Sequence, residues 1–173
     1  GEFSKMEMQG PLRTPAQLMC IYLGAKDIVD HNAKEIKRVL KDIINQESPT
    51  GSSYLTELDS TNVSNRKLLA MKKIRLSLVE SNKITKTLKK SAQEYTSMWL
   101  SNMDNELPQI FLLSKDGITE KERVQANEIL NKLSKESSRV NQQIKESMNS
   151  VFEPYKYQDY LYDFLDLTFT DCR

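Results

Sequence analysis

The sequence predicts an all-α protein: an elongated up-down helical bundle of three to four long helices, with coiled-coil-like heptad packing, plus an aromatic C-terminal segment. Three observations carry this. Apolar residues return at four- and three-residue steps in three separate stretches, which sets them on one face of a helix. Two-residue alternation, the mark of a half-buried strand, never holds for more than a few positions. Gly and Pro are scarce, five of each in 173 residues, and neither occurs between Ser52 and Leu107.

Composition agrees. The length suffices for one domain with a real core. Apolar residues make up 38% and charged residues 28%, a balance suited to long helices rather than a thick multilayer core. Residues 1–13 read as a flexible lead that begins with a cloning remnant, Gly1-Glu2-Phe3. Residues 14–153 read as the bundle, and 154–173 as an acidic-aromatic helix or docking segment.

The first helix is expected to start at Thr14-Pro15, with Thr as N-cap and Pro in the first turn. Its seam is Leu18, Tyr22, Ala25, Val29, Asn32, Ile36, Val39 and Ile43, widened by Ile21, Ile28, Leu40 and Ile44. Gly24 suggests a close approach. Asn32 sits on the seam, either paired with another polar seam residue to fix register or meeting water. Residues 46–53 form a loop by composition. Ser53 to Asp59 reads as a helical turn presenting Tyr54, Leu55 and Leu58, and the capping residues Asp59 to Asn62 introduce the next element.

That element, Thr61 to Asn105, is the centre of the pattern. Its seam is Met71, Ile74, Leu78, Ser81, Thr85, Leu88, Ala92, Tyr95 and Trp99. As one helix it would be about 67 Å long at ~1.5 Å per residue. A break near Ser81-Asn82 makes two ordinary helices, and the weak seam residues there favour it. Glu106-Leu107-Pro108 is a stop. Ile110 to Leu113 reads as an apolar plug on one end of the bundle, and Lys115-Asp116-Gly117 as a turn. Thr119 and Glu122 have the spacing of a capping box. The last long helix follows on Ala126, Leu130, Leu133, Ser137, Val140, Ile144, Ser147 and Val151, ending before Pro154.

Two stretches stand out as candidate binding surfaces. Between residues 66 and 90, nine cations face one acid, Glu80. Lys72, Lys73, Arg75, Lys83, Lys86 and Lys90 are the expected basic surface, open to nucleic acid, anionic membrane or an acidic protein. No aromatic residues interleave with them to stack on bases, which favours a plain solvated face. The tail with Phe152 holds seven of the thirteen aromatics, among interspersed aspartates. Tyr157, Tyr160, Leu161, Phe164 and Leu167 share one face of a short helix, either docking another protein or folding back on the bundle.

Chemistry is hard to place. His31 is the only histidine, and no Gly-rich phosphate loop or Glu-x-x-His pair is present. No catalytic, metal-binding or cofactor-binding residue is therefore expected. Cys20 and Cys172 read as free thiols of a reducing compartment, with an end-to-end bridge, as in helical cytokines, the alternative. No secretory signal and no apolar run near eighteen residues is present. The expected location is intracellular, cytoplasmic or nuclear.

Leu58, Thr61-Asn62-Val63, Lys72-Lys73-Ile74-Arg75, Ala92 and Trp99 together weakly resemble the N-terminal helical domain of transcription elongation factor S-II. Ser64 stands where that domain has Gly, and the stretch from Val63 to Trp99 is longer by several helical turns. The resemblance implies a nuclear docking module. The leading expectation is a non-enzymatic protein-interaction or scaffold module whose partner is another protein, a helical one included, or a second copy. A nucleic-acid or anionic-membrane domain comes second, and a secreted four-helix cytokine-like ligand third.

Overall fold

The structure, a computed structural model, describes residues 12–45, 51–113 and 119–155. Within them the chain forms four long helices, one short helix and a terminal 3-10 turn. These are α1 (Arg13–Asn45), α2 (Gly51–Leu78), α3 (Lys86–Asp104), α4 (Glu106–Leu113), α5 (Glu120–Phe152) and η1 (Glu153–Tyr155). α1 and α5, at 33 residues each, run about 50 Å at ~1.5 Å per residue.

Side-chain pairings fix the directions. Arg38 of α1 pairs with Glu57, Asn32 with Asn62 and Asn65, and Gly24 lies against Lys72, so α2 runs antiparallel to α1. Arg66 meets Asp104 while Lys89 reaches Ser77 and Val79, reversing direction again in α3. Trp99 contacts Ser137 and Glu94 contacts Arg139, making α5 antiparallel to α3. Tyr22 donates to Asn141, closing the ring between α5 and α1. The result is an up-down-up-down bundle.

The seams of α1 and α5 match the periodic reading. Leu18, Tyr22, Ala25, Val29, Asn32 and Ile36 are buried on α1, and Ala126, Leu133, Val140, Ile144 and Val151 on α5. Val39, Leu40, Ile43, Ile44, Tyr54, Leu55 and the turn at 115–117 lie outside the described residues or side chains. α1 begins at Arg13, one residue before the expected cap, and Leu12, expected in the flexible lead, is buried. The Thr119 capping box is formed: the Thr119 hydroxyl accepts from the Glu122 backbone N–H, and Glu122 accepts from that of Thr119. The expected plug is formed in part, by α4: Leu107, Ile110 and Phe111 are buried against its neighbours, while Leu112 is exposed.

The central stretch needs two corrections. α2 starts at Gly51 and runs straight through Asp59 to Asn62, which are interior helix residues rather than a cap. And α2 buries Leu58, Asn62, Asn65, Leu69 and Leu76, not the expected Met71, Ile74 and Leu78. The chain breaks between Leu78 and Lys86, so the phase set by Leu88, Ala92, Tyr95 and Trp99 does not carry back across the turn.

That turn has its own lock. Asn82 Oδ1 accepts from the backbone N–H groups of Ile84 and Thr85, both at 2.9 Å, and Thr85 Oγ1 accepts from the Asn82 N–H at 3.0 Å. Lys89 Nζ donates to the Val79 carbonyl at 2.7 Å, satisfying the end of α2. Replacing Asn82 by Ala is expected to cost about 1 kcal/mol, a typical loss for a capping side chain. Urea unfolding of the single variant measures it.

The core contains a polar layer. Asn32 Nδ2 donates to Asn62 Oδ1 at 3.1 Å, Asn65 Nδ2 to Asn32 Oδ1 at 3.0 Å, and Asn62 Nδ2 to the Met103 carbonyl at 2.7 Å. Three helices are thereby joined at one level. Of the two roles open to Asn32 in the sequence, the structure shows pairing with polar seam residues.

Candidate interaction surface

α2 is apolar on two opposite faces, which is the origin of the candidate site. Residues 58, 62, 65, 69 and 76 point into the bundle. Residues 71, 74 and 78, again at three- and four-residue steps, fall on the opposite side. Met71 and Ile74 are each 60% exposed and Leu78 is 75% exposed, with Leu68 beside them at 50%. Burying one such side chain is worth about 1.5–3 kcal/mol, so an aligned set left in water is an unused source of binding energy.

The rim of this face is cationic. Lys67, Lys73 and Arg75 are exposed around it, and residues 61–79 contain no Asp or Glu. The expected basic surface is divided, however. Lys72 lies across Gly24 of α1, where a Cβ would sit 2.9 Å from its Nζ, and burial and the Arg75 charge lower its pKa. Arg66 is held by Asp104, and Lys89 by the Ser77 and Val79 carbonyls. Arg75 opens onto a groove between α1 and α2, whereas Lys90 lines a different groove between α3 and α5. Lys83 and Lys86 are exposed at and just after the turn. Among the predicted cations, Lys73 and Arg75 flank the apolar face; the rest do not gather there.

The α1–α2 groove, about 560 Å³, is lined by Arg13, Gln17, Cys20, Arg75, Leu78 and Glu80 among others. It adjoins the apolar face through Leu78 and Arg75. Cys20 is disulfide-bonded, which corrects the expectation of free thiols. Cys172 is the only other cysteine in the chain. It lies outside the described residues, as do the predicted tail contacts Tyr157, Tyr160, Leu161, Phe164 and Leu167.

Among the described residues the bundle interior holds a pair of buried tyrosines. Tyr22 and Tyr95 meet edge to face, with ring centroids 5.3 Å apart. Burial, with the Asp30 charge adding to it, pushes the Tyr22 phenol up to about 12, and burial pushes Tyr95 up as well. The Tyr95 hydroxyl is buried without a well-formed hydrogen bond, while the Ser137 hydroxyl accepts from Trp99 Nε1 at 3.2 Å. Both phenols hold their protons more tightly folded than unfolded. Their contribution is complete below pH 10 and is lost as pH rises toward the folded values. Tyr95→Phe removes an unsatisfied hydroxyl and is expected to raise stability by about 1 kcal/mol at neutral pH. Its unfolding curve should also fall less steeply above pH 10 than the parent's.

Among the described residues no group of three or more His, Cys, Asp or Glu is placed to hold a metal ion, and no helix is long and apolar enough to cross a membrane. Sequence reasoning found Met71, Ile74 and Leu78 but assigned them to the core; the signal it lacked was a second, partly polar stripe on the same helix. Comparison with protein-family models, curated proteins and solved structures finds no match for this chain.

Proposed function

We propose that this chain is a non-enzymatic protein-binding module that docks another protein on the outer face of α2. One observation carries the reading: α2 has two apolar faces, and the bundle uses only one of them. Met71, Ile74 and Leu78 follow the spacing that receives the apolar stripe of a partner helix. A rim of Lys67, Lys73 and Arg75, on a helix stretch without Asp or Glu from residue 61 to 79, favours acidic flanks on that partner. The same rim sets cation against cation if two copies meet through this face, which disfavours self-pairing there.

The disulfide at Cys20 supports an oxidising compartment rather than the cytoplasm or nucleus expected from the sequence. The topology weighs against a cytokine-like ligand, because those bundles run up-up-down-down through long crossovers. Here α1 to α2 and α2 to α3 are joined by short connections and reverse direction each time. The dispersal of the basic residues weighs against a nucleic-acid surface.

The test places a photoreactive benzoylphenylalanine at Ile74, with exposed Val124 of α5 as the control site. Expected is a discrete adduct to one protein of the native source, absent from the control. The purified partner should lose at least about tenfold in affinity, 1.4 kcal/mol, for the Met71→Glu variant. Binding only to phosphatidylserine vesicles or to nucleic acid would refute the reading, as would an affinity unchanged by Met71→Glu.

A further inference from the structure

We propose that the α2–α3 turn is a second binding site, a tip at which Ile84 enters an anionic phospholipid bilayer while Lys83 and Lys86 meet its headgroups. Ile84 is 70% exposed, and the fold makes little use of its side chain. The turn needs only its backbone: the Ile84 N–H donates to Asn82 Oδ1 at 2.9 Å. The next residue, Thr85, is buried and donates its own N–H to the same oxygen. Ile84 is therefore fixed between two anchored neighbours with its side chain in water. A lone exposed apolar residue is ordinary; the cations around this one give it a use.

Residues 79–90 carry four lysines and one acid, Glu80. Lys83 and Lys86 flank Ile84 in the chain. Both are exposed, and neither forms an ion pair among the described residues. Lys89 Nζ rests on the Ser77 and Val79 carbonyls, so its charge also stays at the turn. Lys90 shares the α3–α5 groove with Ile84; Glu94 and Glu146 line it too, and Glu94 is itself held by Arg139. Arg13 lies at this same end, in the groove that Leu78 and Glu80 line. An anionic surface attracts each basic residue that comes within about a Debye length of it.

The combination selects a bilayer. An apolar insertion or a basic patch alone binds membranes weakly, whereas the two together hold. A phosphate backbone would use the lysines but offers nothing to Ile84, and residues 79–90 contain no aromatic side chain to stack on bases. A partner helix asks for a row of apolar side chains, and Ile84 lies beyond the end of α2, off the spacing of Met71, Ile74 and Leu78. Contact is peripheral, since no described helix is long and apolar enough to cross a membrane. It also keeps the α2 face usable, because Met71 lies about 10 Å along the helix from Leu78, away from the turn.

This goes beyond the docking proposal and does not depend on it. The full oxidised chain is floated with equimolar phosphatidylcholine–phosphatidylglycerol vesicles and with pure phosphatidylcholine vesicles, at low and high salt. Expected is binding to the anionic vesicles, weakened by salt, and little to the neutral ones. Ile84→Glu should lower the partition coefficient at least about tenfold. Lys83→Glu/Lys86→Glu should lower it about twenty-five-fold, about fivefold for each lysine. These positions are exposed, so the urea midpoints should match the parent's. Ile74→Glu, on the α2 face, is the control and should bind vesicles as the parent does. Absence of binding to anionic vesicles would overturn the inference, as would equal binding to neutral ones or an equal loss for Ile74→Glu. So would binding abolished by salt but unchanged by Ile84→Glu, which would mark a bare attraction to any polyanion, nucleic acid included. Vesicle binding through Ile84 with no partner adduct at Ile74 would sink the docking proposal alone; the opposite pattern would sink this one alone.

Discussion

Asn62→Ala is expected to lower the unfolding free energy by about 2–4 kcal/mol. Asn62 is buried, accepts from Asn32 and donates to the Met103 carbonyl at the end of α3. Truncation leaves the Asn32 amide and that carbonyl without partners, at about 1–3 kcal/mol each, and adds a small cavity. The loss should appear as a lower urea midpoint at unchanged slope. A cost under about 0.5 kcal/mol would mean that water replaces the side chain and that the layer does not hold the helices in register. Asn65→Ala, which removes a donor to Asn32 alone, should cost less.

Cys20→Ser is expected to cost about 2–4 kcal/mol, with a matching loss when the parent is reduced. A disulfide restricts the unfolded ensemble, the more so the longer the loop it closes in the chain-entropy model. The variant itself should be indifferent to reductant. A parent whose urea midpoint does not move on reduction would show that the bridge contributes nothing to the fold.

Much of the bundle was legible because its outer pair of helices is amphipathic in one phase. Leu18 to Ile36 and Ala126 to Val151 each offer a single apolar stripe, so burial follows from spacing. The Thr119 box was legible because both partners are local. α2 was not legible in phase. Leu58, Leu69 and Leu76 on one side compete with Met71, Ile74 and Leu78 on the other, and Asn62 and Asn65 disguise the buried stripe as polar. Only their pairing with Asn32, thirty residues away, makes that stripe a core. Asp59 to Asn62 look like a cap by residue type, yet the helix passes through them because tertiary packing outweighs capping preference. The state of Cys20 was closed to sequence reasoning for a similar reason, since two cysteines far apart in the chain do not reveal whether they meet.

The proposed docking face follows from the same ambiguity: the stripe that the fold leaves exposed is the one proposed to meet a partner. The most direct measurement is the affinity of the captured partner for the Met71→Glu/Ile74→Glu double variant, read beside its urea unfolding curve. The account predicts stability within about 0.5 kcal/mol of the parent, as for exposed positions, and affinity reduced at least about a hundredfold, 2.8 kcal/mol. Undiminished affinity with an intact fold would contradict it.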